Sequence, residues 1–282
     1  MSDARSASLA ALLAIVRALR HARGLSCPRC GAARVVRWGG FAGRQRYRCK
    51  QCGRTFSDLT GSPAAYTKRL VLWPQYERCL AETSSVRCAA ARLGIHPSTA
   101  FRWRHVLLDS LRAGDTEKVG GCIDIGSVWF TYSEKGRRGL ERAARSRGVR
   151  FPSAYRGRSV RVVVACDRTD RVVSALSENG VSRQRLESAL ANRIEGCSGL
   201  FAEPSLFAAC TLFARRLGAT LQRMRYATTR AYAYGVCLDR WLQRFRGVAT
   251  KYLSNYLVWH RVWRHGPKTL MTRLWPRADA FG

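Results

Sequence analysis

The sequence predicts a multi-domain chain in which three small modules precede one larger mixed α/β domain. Two observations support this prediction. Two Cys-x-x-Cys pairs lie close together near the N-terminus, and strand-like apolar runs alternate with helical patterns from about residue 119 onwards. The predicted parts are an N-terminal helix over 1–23, a Cys- and Gly-rich module over 24–60, a helix-turn-helix over 66–113, the α/β domain over 119–262 and a tail over 263–282.

The first predicted part is an amphipathic helix. Its apolar run from Ser8 to Val16 resembles the core of a signal peptide, but Arg17, Arg20 and Arg23 follow that run instead of preceding it. No apolar run in the sequence approaches the length of a membrane span. We therefore expect neither a leader nor a membrane segment.

The two Cys-x-x-Cys pairs predict a zinc ribbon. Cys27 and Cys30 are separated from Cys49 and Cys52 by 18 residues, the spacing of a four-cysteine zinc site. A glycine follows each pair and lets the backbone turn so that amides reach the sulfurs. Residues 34–38 and 45–48 read as hairpin strands between the pairs. So small a module has too little core to fold alone, and structural Zn²⁺ is expected to stabilise it.

Residues 84–105 predict a helix-turn-helix. A helix rich in small residues ends at Gly94, and a second helix begins near Pro97, a favoured first helical position. The early positions of such a second helix meet the DNA major groove. Ile95, Ala100 and Trp103 are expected to be buried. The expected outward-facing DNA contacts are Ser98, Thr99, Arg102 and Arg104.

Charge is the strongest signal in the composition. Fifty Lys and Arg residues oppose 18 Asp and Glu residues, for a formal net charge of +32 and a pI near 11.1. A phosphate backbone neutralises such charge and releases counterions, although high genomic GC content also favours arginine. The excess is spread along the chain, which argues against a polybasic membrane anchor. Double-stranded DNA is the expected partner, ahead of RNA.

The remaining cysteines indicate a reducing compartment. Seven of the eleven cysteines are scattered among apolar residues, as Cys122 and Cys166 are, and are not arranged as a disulfide framework. We expect a cytoplasmic, nucleoid-associated protein of prokaryotic type.

The α/β domain is predicted from a series of alternating patterns. Strands are predicted over 122–132, 160–166 and 171–176, near residue 200 and over 220–227. Helices are predicted over 182–194, 205–217 and 230–245, the first with Ser182 as its cap. Residues 135–158 read as a basic loop or hairpin.

Several of these segments resemble one family. The segment YRCKQCGRTF (47–56), the segments WFTYSEKG (129–136) and VVVACDR (162–168), and above all WLQRFRGVATKYLSNYLVW (241–259) are similar to insertion-sequence transposases of the ISXO-two-like set, the insertion sequence fifteen-ninety-five family. The resemblance covers residues 25–260. It implies a zinc ribbon, a helix-turn-helix and an RNase-H-like domain of the DDE type. It also implies oligomeric action, with divalent metals held by three acidic residues.

The sequence departs from that family at the acids. Gly126 stands where the first catalytic Asp is expected, the second falls on Glu203, and Asp239 stands at a lysine position beside the third. Asp124, two residues before Gly126, shares its strand face. Glu134 and Asp167 also match family positions, and no catalytic role is assigned to them.

Two hypotheses follow from this departure. In the first, strand transfer is lost and a DNA-binding scaffold remains, because metal geometry tolerates little displacement. In the second, Asp124, Glu203 and Asp239 form a displaced Mg²⁺ site in an active transposase. A third hypothesis, independent of the acids, is that the chain is a nucleic-acid-binding subunit of a larger complex, with RNA as an alternative ligand.

Lys251 is a further candidate phosphate contact. The nearby aromatics Tyr252, Tyr256 and Trp259 are expected to be core and not base-stacking residues.

Overall fold

The computed structural model describes residues 13–14, 16–18, 21, 24–41, 43–65, 67–140, 159–177, 182–225, 229–266 and 273. The chain divides into two compact units. One comprises Met1–Asp115 with Val262–Gly282, and the other comprises Thr116–Arg261. None of the helices in the described ranges is long and apolar enough to cross a lipid bilayer. Most of the predicted N-terminal helix and tail lies outside the described residues, although residues 13–14 and 16–18 are helical.

The first unit contains a small antiparallel sheet built from the predicted hairpin. Strands β1 (Val35–Phe41) and β2 (Arg44–Cys49) pair as expected, and β3 (Thr55–Ser57) adds to β2. Along β2, buried Tyr47 and Cys49 alternate with exposed arginines, which is the period of a half-buried strand. Tyr47 packs on Phe56, with ring centroids 5.5 Å apart.

Three helices follow in the same unit. After a 3₁₀ turn at Leu70–Leu72 they are α1 (Trp73–Ala81), α2 (Val86–Leu93) and α3 (Pro97–Ala113). The Ser85 hydroxyl accepts from the amide of Cys88 and caps α2, which ends at Gly94 with φ of 60°. Pro97 begins α3, as predicted. Tyr76 packs edge-on against Trp103.

The second unit is a five-stranded mixed sheet. Its strands are β4 (Val119–Thr131), β5 (Ser159–Asp167), β6 (Val172–Ser177), β7 (Ile194–Ala202) and β8 (Thr220–Arg223), in the order β6-β5-β4-β7-β8. β4 is central, antiparallel to β5 and parallel to β7. β5 and β6 are antiparallel, and β7 and β8 are parallel. This mixed α/β architecture agrees with the RNase-H-like expectation.

Helices cover both faces of this sheet. They are α4 (Arg183–Leu190), α5 (Phe207–Leu217) and α6 (Arg230–Gln243). A last helix, α7 (Thr250–Arg264), packs against α6, where the rings of His260 and Tyr234 lie with centroids 5.0 Å apart. Ile123 and Ile125 of β4 pack in one core with Leu186 of α4 and Phe213 of α5. Burial on both faces explains the nearly continuous apolar run of β5.

α6 approaches β4 on the face opposite that core. A methyl group added at Gly235 would lie 2.4 Å from Val128 Cγ2, so only glycine fits this approach without a shift. Val128 has the same strand parity as Asp124 and Gly126, and the opposite parity to Ile123 and Ile125. Asp124 and Gly126 therefore face α6.

Some predicted boundaries were wrong. The helix expected over 182–194 ends at Leu190, and Ile194 already begins β7 and pairs with Val119. Ser182 does cap α4 as predicted, since its hydroxyl accepts from the amide of Arg185. Most of the predicted basic loop, residues 141–158, lies outside the described residues.

Candidate functional site

The four cysteines converge at one edge of the small sheet. The Sγ atoms of Cys27, Cys30, Cys49 and Cys52 all lie within 4.8 Å of one another. The distances Cys27–Cys52 and Cys30–Cys49 are both 3.6 Å, much longer than a disulfide bond. Sulfurs at about 2.3 Å from a tetrahedral Zn²⁺ would lie about 3.8 Å apart. The arrangement therefore fits a tetrahedral thiolate-bound metal.

The backbone around the cluster favours thiolate at one of these positions. The amide of Cys52 lies 3.5 Å from Cys49 Sγ. Hydrogen bonds from the amides of Cys52 and Gln51 outweigh burial and lower the pKa of the Cys49 thiol to about 7. These amides supply the contacts that the predicted knuckle turns require.

The N-terminal segment is bound to the same module by an ion pair. Arg17 Nη2 lies 2.8 Å from Asp58 Oδ2, and His21 Nε2 lies 3.3 Å from Asp58 Oδ1. Asp58 is buried, whereas Arg17 is half exposed. Val16 is buried as well. The first unit therefore includes the described part of the N-terminal segment.

The start of α3 presents most of the predicted DNA contacts to solvent. His96 precedes the helix, and its Nδ1 atom accepts from the amide of Ser98. Ser98 and Arg102 are exposed, and Thr99 is half-buried. Ala100 and Trp103 are buried as predicted, whereas Ile95 is only half-buried. The exposed positions have the geometry that a recognition helix needs.

The prediction for Arg104 was wrong. Its side chain is buried, and its Nη2 atom donates to the carbonyl of Ser84. Arg104 lies four residues after Ala100 and next to Trp103 in sequence, so it shares the buried face of α3. Its hydrogen bond joins α3 to Ser84, just before the N-cap of α2, and the side chain does not point to solvent.

In α7, Lys251 is exposed, and its Nζ lies 4.9 Å from the centre of the Tyr252 ring. Tyr256 and Trp259 are buried, in agreement with the expectation that they are core residues, whereas Tyr252 is only half-buried. Arg261 of the same helix is buried as well. Lys251 is therefore exposed to solvent, and its contact with a phosphate stays a prediction.

Asp124 is buried in β4 and held by α6. Its Oδ2 atom accepts from the amide of Arg230, the first residue of that helix, at 2.9 Å. Its Oδ1 atom lies 3.2 Å from Nη2 of Arg168. A helix N-terminus and a guanidinium both stabilise a carboxylate. Asp124 thereby positions the start of α6.

Glu203 lies just beyond the end of β7 and has different partners. Its amide donates to the carbonyl of Ile125, and its Oε2 atom accepts from the amide of Ser127 at 3.1 Å. The carboxylate thereby continues the parallel pairing of β7 with β4 by one further hydrogen bond. Its Oε1 atom lies 2.9 Å from Nη2 of Arg161. Both members of this ion pair are buried. Arg161 Nε also donates to the Ser127 hydroxyl.

The third acid is separate from both. Asp239 lies on the exposed side of α6 and accepts from Nε2 of Gln243 at 2.9 Å. Within the described residues, the four cysteines are the only group of three or more Cys, His, Asp and Glu side chains close enough to share a metal. Asp124, Glu203 and Asp239 therefore do not form one cluster of three.

Sequence reasoning missed Arg161 and Arg168, the arginines that bind the two buried acids. The available signal was Arg161 itself, a lone charge in the apolar run SVRVVVAC of β5. A charged residue in a doubly covered strand needs a buried partner of opposite charge. Glu203, which the sequence already marked, is that partner.

These observations define a class: a chain with a four-cysteine cluster that could hold a metal, a helix-turn-helix and a mixed α/β domain. No family model matches the chain. It is similar to a Halobacterium salinarum protein named "Uncharacterized protein in transposable element ISH50", with 29% identity over 200 residues. That match covers 68% of this chain and 64% of the relative.

Two solved structures of Mos1 complexes are similar to part of the chain. The Mos1 strand transfer complex is 11% identical with a TM-score of 0.31, over 71% of this chain and 77% of that chain. The Mos1 mariner paired-end complex with Mn is 10% identical with a TM-score of 0.29, over 71% of this chain and 78% of that chain.

Proposed function

We propose that this protein is a transposase-derived DNA-binding protein whose strand-transfer chemistry has been lost. The observation that carries the proposal is the buried pair between Glu203 and Arg161. In a metal-dependent strand-transfer site, a divalent cation neutralises the carboxylates. In this protein the guanidinium of Arg161 neutralises the carboxylate of Glu203. Arg168 and the N-terminus of α6 neutralise the carboxylate of Asp124.

The geometry of the acids supports the same conclusion. Two-metal catalysis requires carboxylate oxygens around ions about 4 Å apart. Gly126 offers no ligand at the position that the family resemblance marks for the first acid. Asp239 is exposed and outside any cluster with the other two acids. A displaced site would need these groups to leave their present partners.

DNA binding is supported by charge and by the exposed start of α3. The net charge of +32 suits a polyanion. Arg102 is exposed on the first turns of the second helix of the motif, where base edges are read. The similarity to a transposable-element protein points to the same class of partner. We propose Zn²⁺ as the metal of the four-cysteine cluster, in a structural role.

Strand cleavage and joining test the proposal. The wild-type chain would be incubated with the terminal repeats that flank its gene, with Mg²⁺ or Mn²⁺, and binding to the same ends would be measured by gel shift. We expect binding without cut or joined product. Product that disappears in both Asp124→Ala and Glu203→Ala would overturn the proposal and assign these acids to a rearranged active site.

A further inference from the structure

The hairpin of the four-cysteine module exposes two aromatic side chains. Trp38 is 48% exposed and Phe41 is 71% exposed, and both belong to β1, the edge strand of the small sheet. Aromatic side chains usually bury most of their surface in a folded protein. Two exposed aromatic side chains on one short strand therefore indicate a surface that binds a partner.

A bulge in β1 separates these two residues. The pairing with β2 shifts register between Arg37 and Gly40, and Gly39 has φ of +70°. A glycine in this left-handed conformation is the mark of one common bulge type, which re-aims neighbouring side chains. Phe41 then pairs with Arg44 at the tip of the hairpin.

The charged residues of the two aromatics' module are basic up to Asp58, which is buried and paired with Arg17. Residues 24–57 contain seven arginines and one lysine, and no Asp or Glu. The guanidinium of Arg48 lies over the Trp38 ring, 4.6 Å from its centre. The partner must therefore be anionic and must offer flat apolar faces. Nucleobases joined by phosphates combine these two properties.

We infer that Trp38, Phe41 and Arg48 form a stacking platform for an unpaired base of DNA. This inference rests on the proposed DNA-binding function and extends it to a further ligand class. In a continuous duplex, neighbouring bases cover one another's faces, whereas an unpaired base offers its face to a ring. The surrounding arginines bind the phosphates on either side.

The test compares two DNA probes that differ only in base pairing. One is a fully paired duplex, and the other carries three unpaired thymines in one strand. Dissociation constants of the full, zinc-loaded chain would be measured by fluorescence anisotropy at one salt concentration. We expect tighter binding to the unpaired probe, and we expect Trp38→Ala to weaken that binding roughly tenfold while paired-duplex affinity is unchanged.

Trp129 supplies the matched control. It is also about half exposed, at 57%, and Arg161 lies over its ring at 4.9 Å, but it belongs to the second unit. Trp129→Ala is expected to keep the preference for unpaired bases, as is Trp38→Phe. The zinc content of Trp38→Ala would be measured to verify that the module has folded.

Three results would overturn the inference. They are equal wild-type affinity for both probes, a Trp38→Ala variant that keeps the preference, and an equal loss in Trp129→Ala. In each case paired-duplex binding by the wild type would leave the proposed function intact. Absence of binding to either probe would instead overturn both.

Discussion

Arg102 and Arg104 are two arginines on one helix that perform different tasks. Arg102 is exposed, whereas Arg104 is buried against the carbonyl of Ser84. We expect Arg102→Ala to weaken specific DNA binding by about 1–3 kcal/mol and non-specific binding much less, without loss of stability. Gel shifts with specific and scrambled DNA test this, and equal losses on both would remove Arg102 from base recognition.

Arg104→Ala is the matched variant on the same helix. It leaves the Ser84 carbonyl without its donor and opens a gap beside Trp103. We expect the free energy of unfolding to fall by about 1–3 kcal/mol, measured by urea denaturation of the full chain. A stability equal to that of the wild type would mean that the buried contact contributes nothing.

The buried guanidinium of Arg161 neutralises the buried carboxylate of Glu203. Arg161→Met removes the guanidinium and leaves a buried carboxylate with only hydrogen-bond donors. We expect the free energy of unfolding to fall by about 3–5 kcal/mol, measured by urea denaturation. The double variant Arg161→Met/Glu203→Gln is expected to recover part of that loss because no unpaired charge remains. A double variant as unstable as the sum of both single variants would contradict this account.

At the scale of elements, the approach of α6 to β4 depends on Gly235. Alanine there would place Cβ 2.4 Å from Val128 Cγ2, and the β-branched valine has little freedom to move away. We expect Gly235→Ala to lower the free energy of unfolding by about 1–3 kcal/mol. Thermal unfolding of Gly235→Ala and of Gly235→Ala/Val128→Ala tests the cause, since the smaller partner should relieve the clash.

Elements were predictable where local pattern and tertiary pairing agree. The hairpin, β4, β5 and the start of α3 follow from alternation, apolar runs and Pro97. The boundary after α4 was missed because Leu186, Leu190 and Ile194 continue one helical spacing in the sequence. Pairing of Ile194 with Val119 in the parallel ladder ends the helix, and this pairing joins residues distant in the sequence.

The site was less predictable than the fold for a related reason. The four cysteines are recognisable because their spacing along the chain encodes the cluster. The neutralisation of Glu203 and Asp124 depends instead on Arg161 and Arg168. These arginines come from β5 and from the segment after it. The lone charge of Arg161 in an apolar strand signals a buried partner, but sequence spacing does not say which acid that partner is.

At the scale of the molecule, the first unit is expected to depend on its metal. Zn²⁺ removed by a chelator should leave the module of residues 24–60 unfolded, because its core consists of few side chains. Hydrogen exchange of the amides in β1–β3 would report the loss, and amides in β4 and β5 serve as the internal control. Unchanged protection in β1–β3 after metal removal would refute a structural role for the metal.

The partnership of Arg161 with Glu203 has a consequence for evolution. Gly126→Asp alone would supply a carboxylate while Glu203 stays neutralised, and loss of Arg161 alone would strand a buried charge. On the proposed loss of strand transfer, each of these single substitutions therefore either leaves Glu203 neutralised or destabilises the fold. A return to catalysis would then need changes at positions 126 and 161 together.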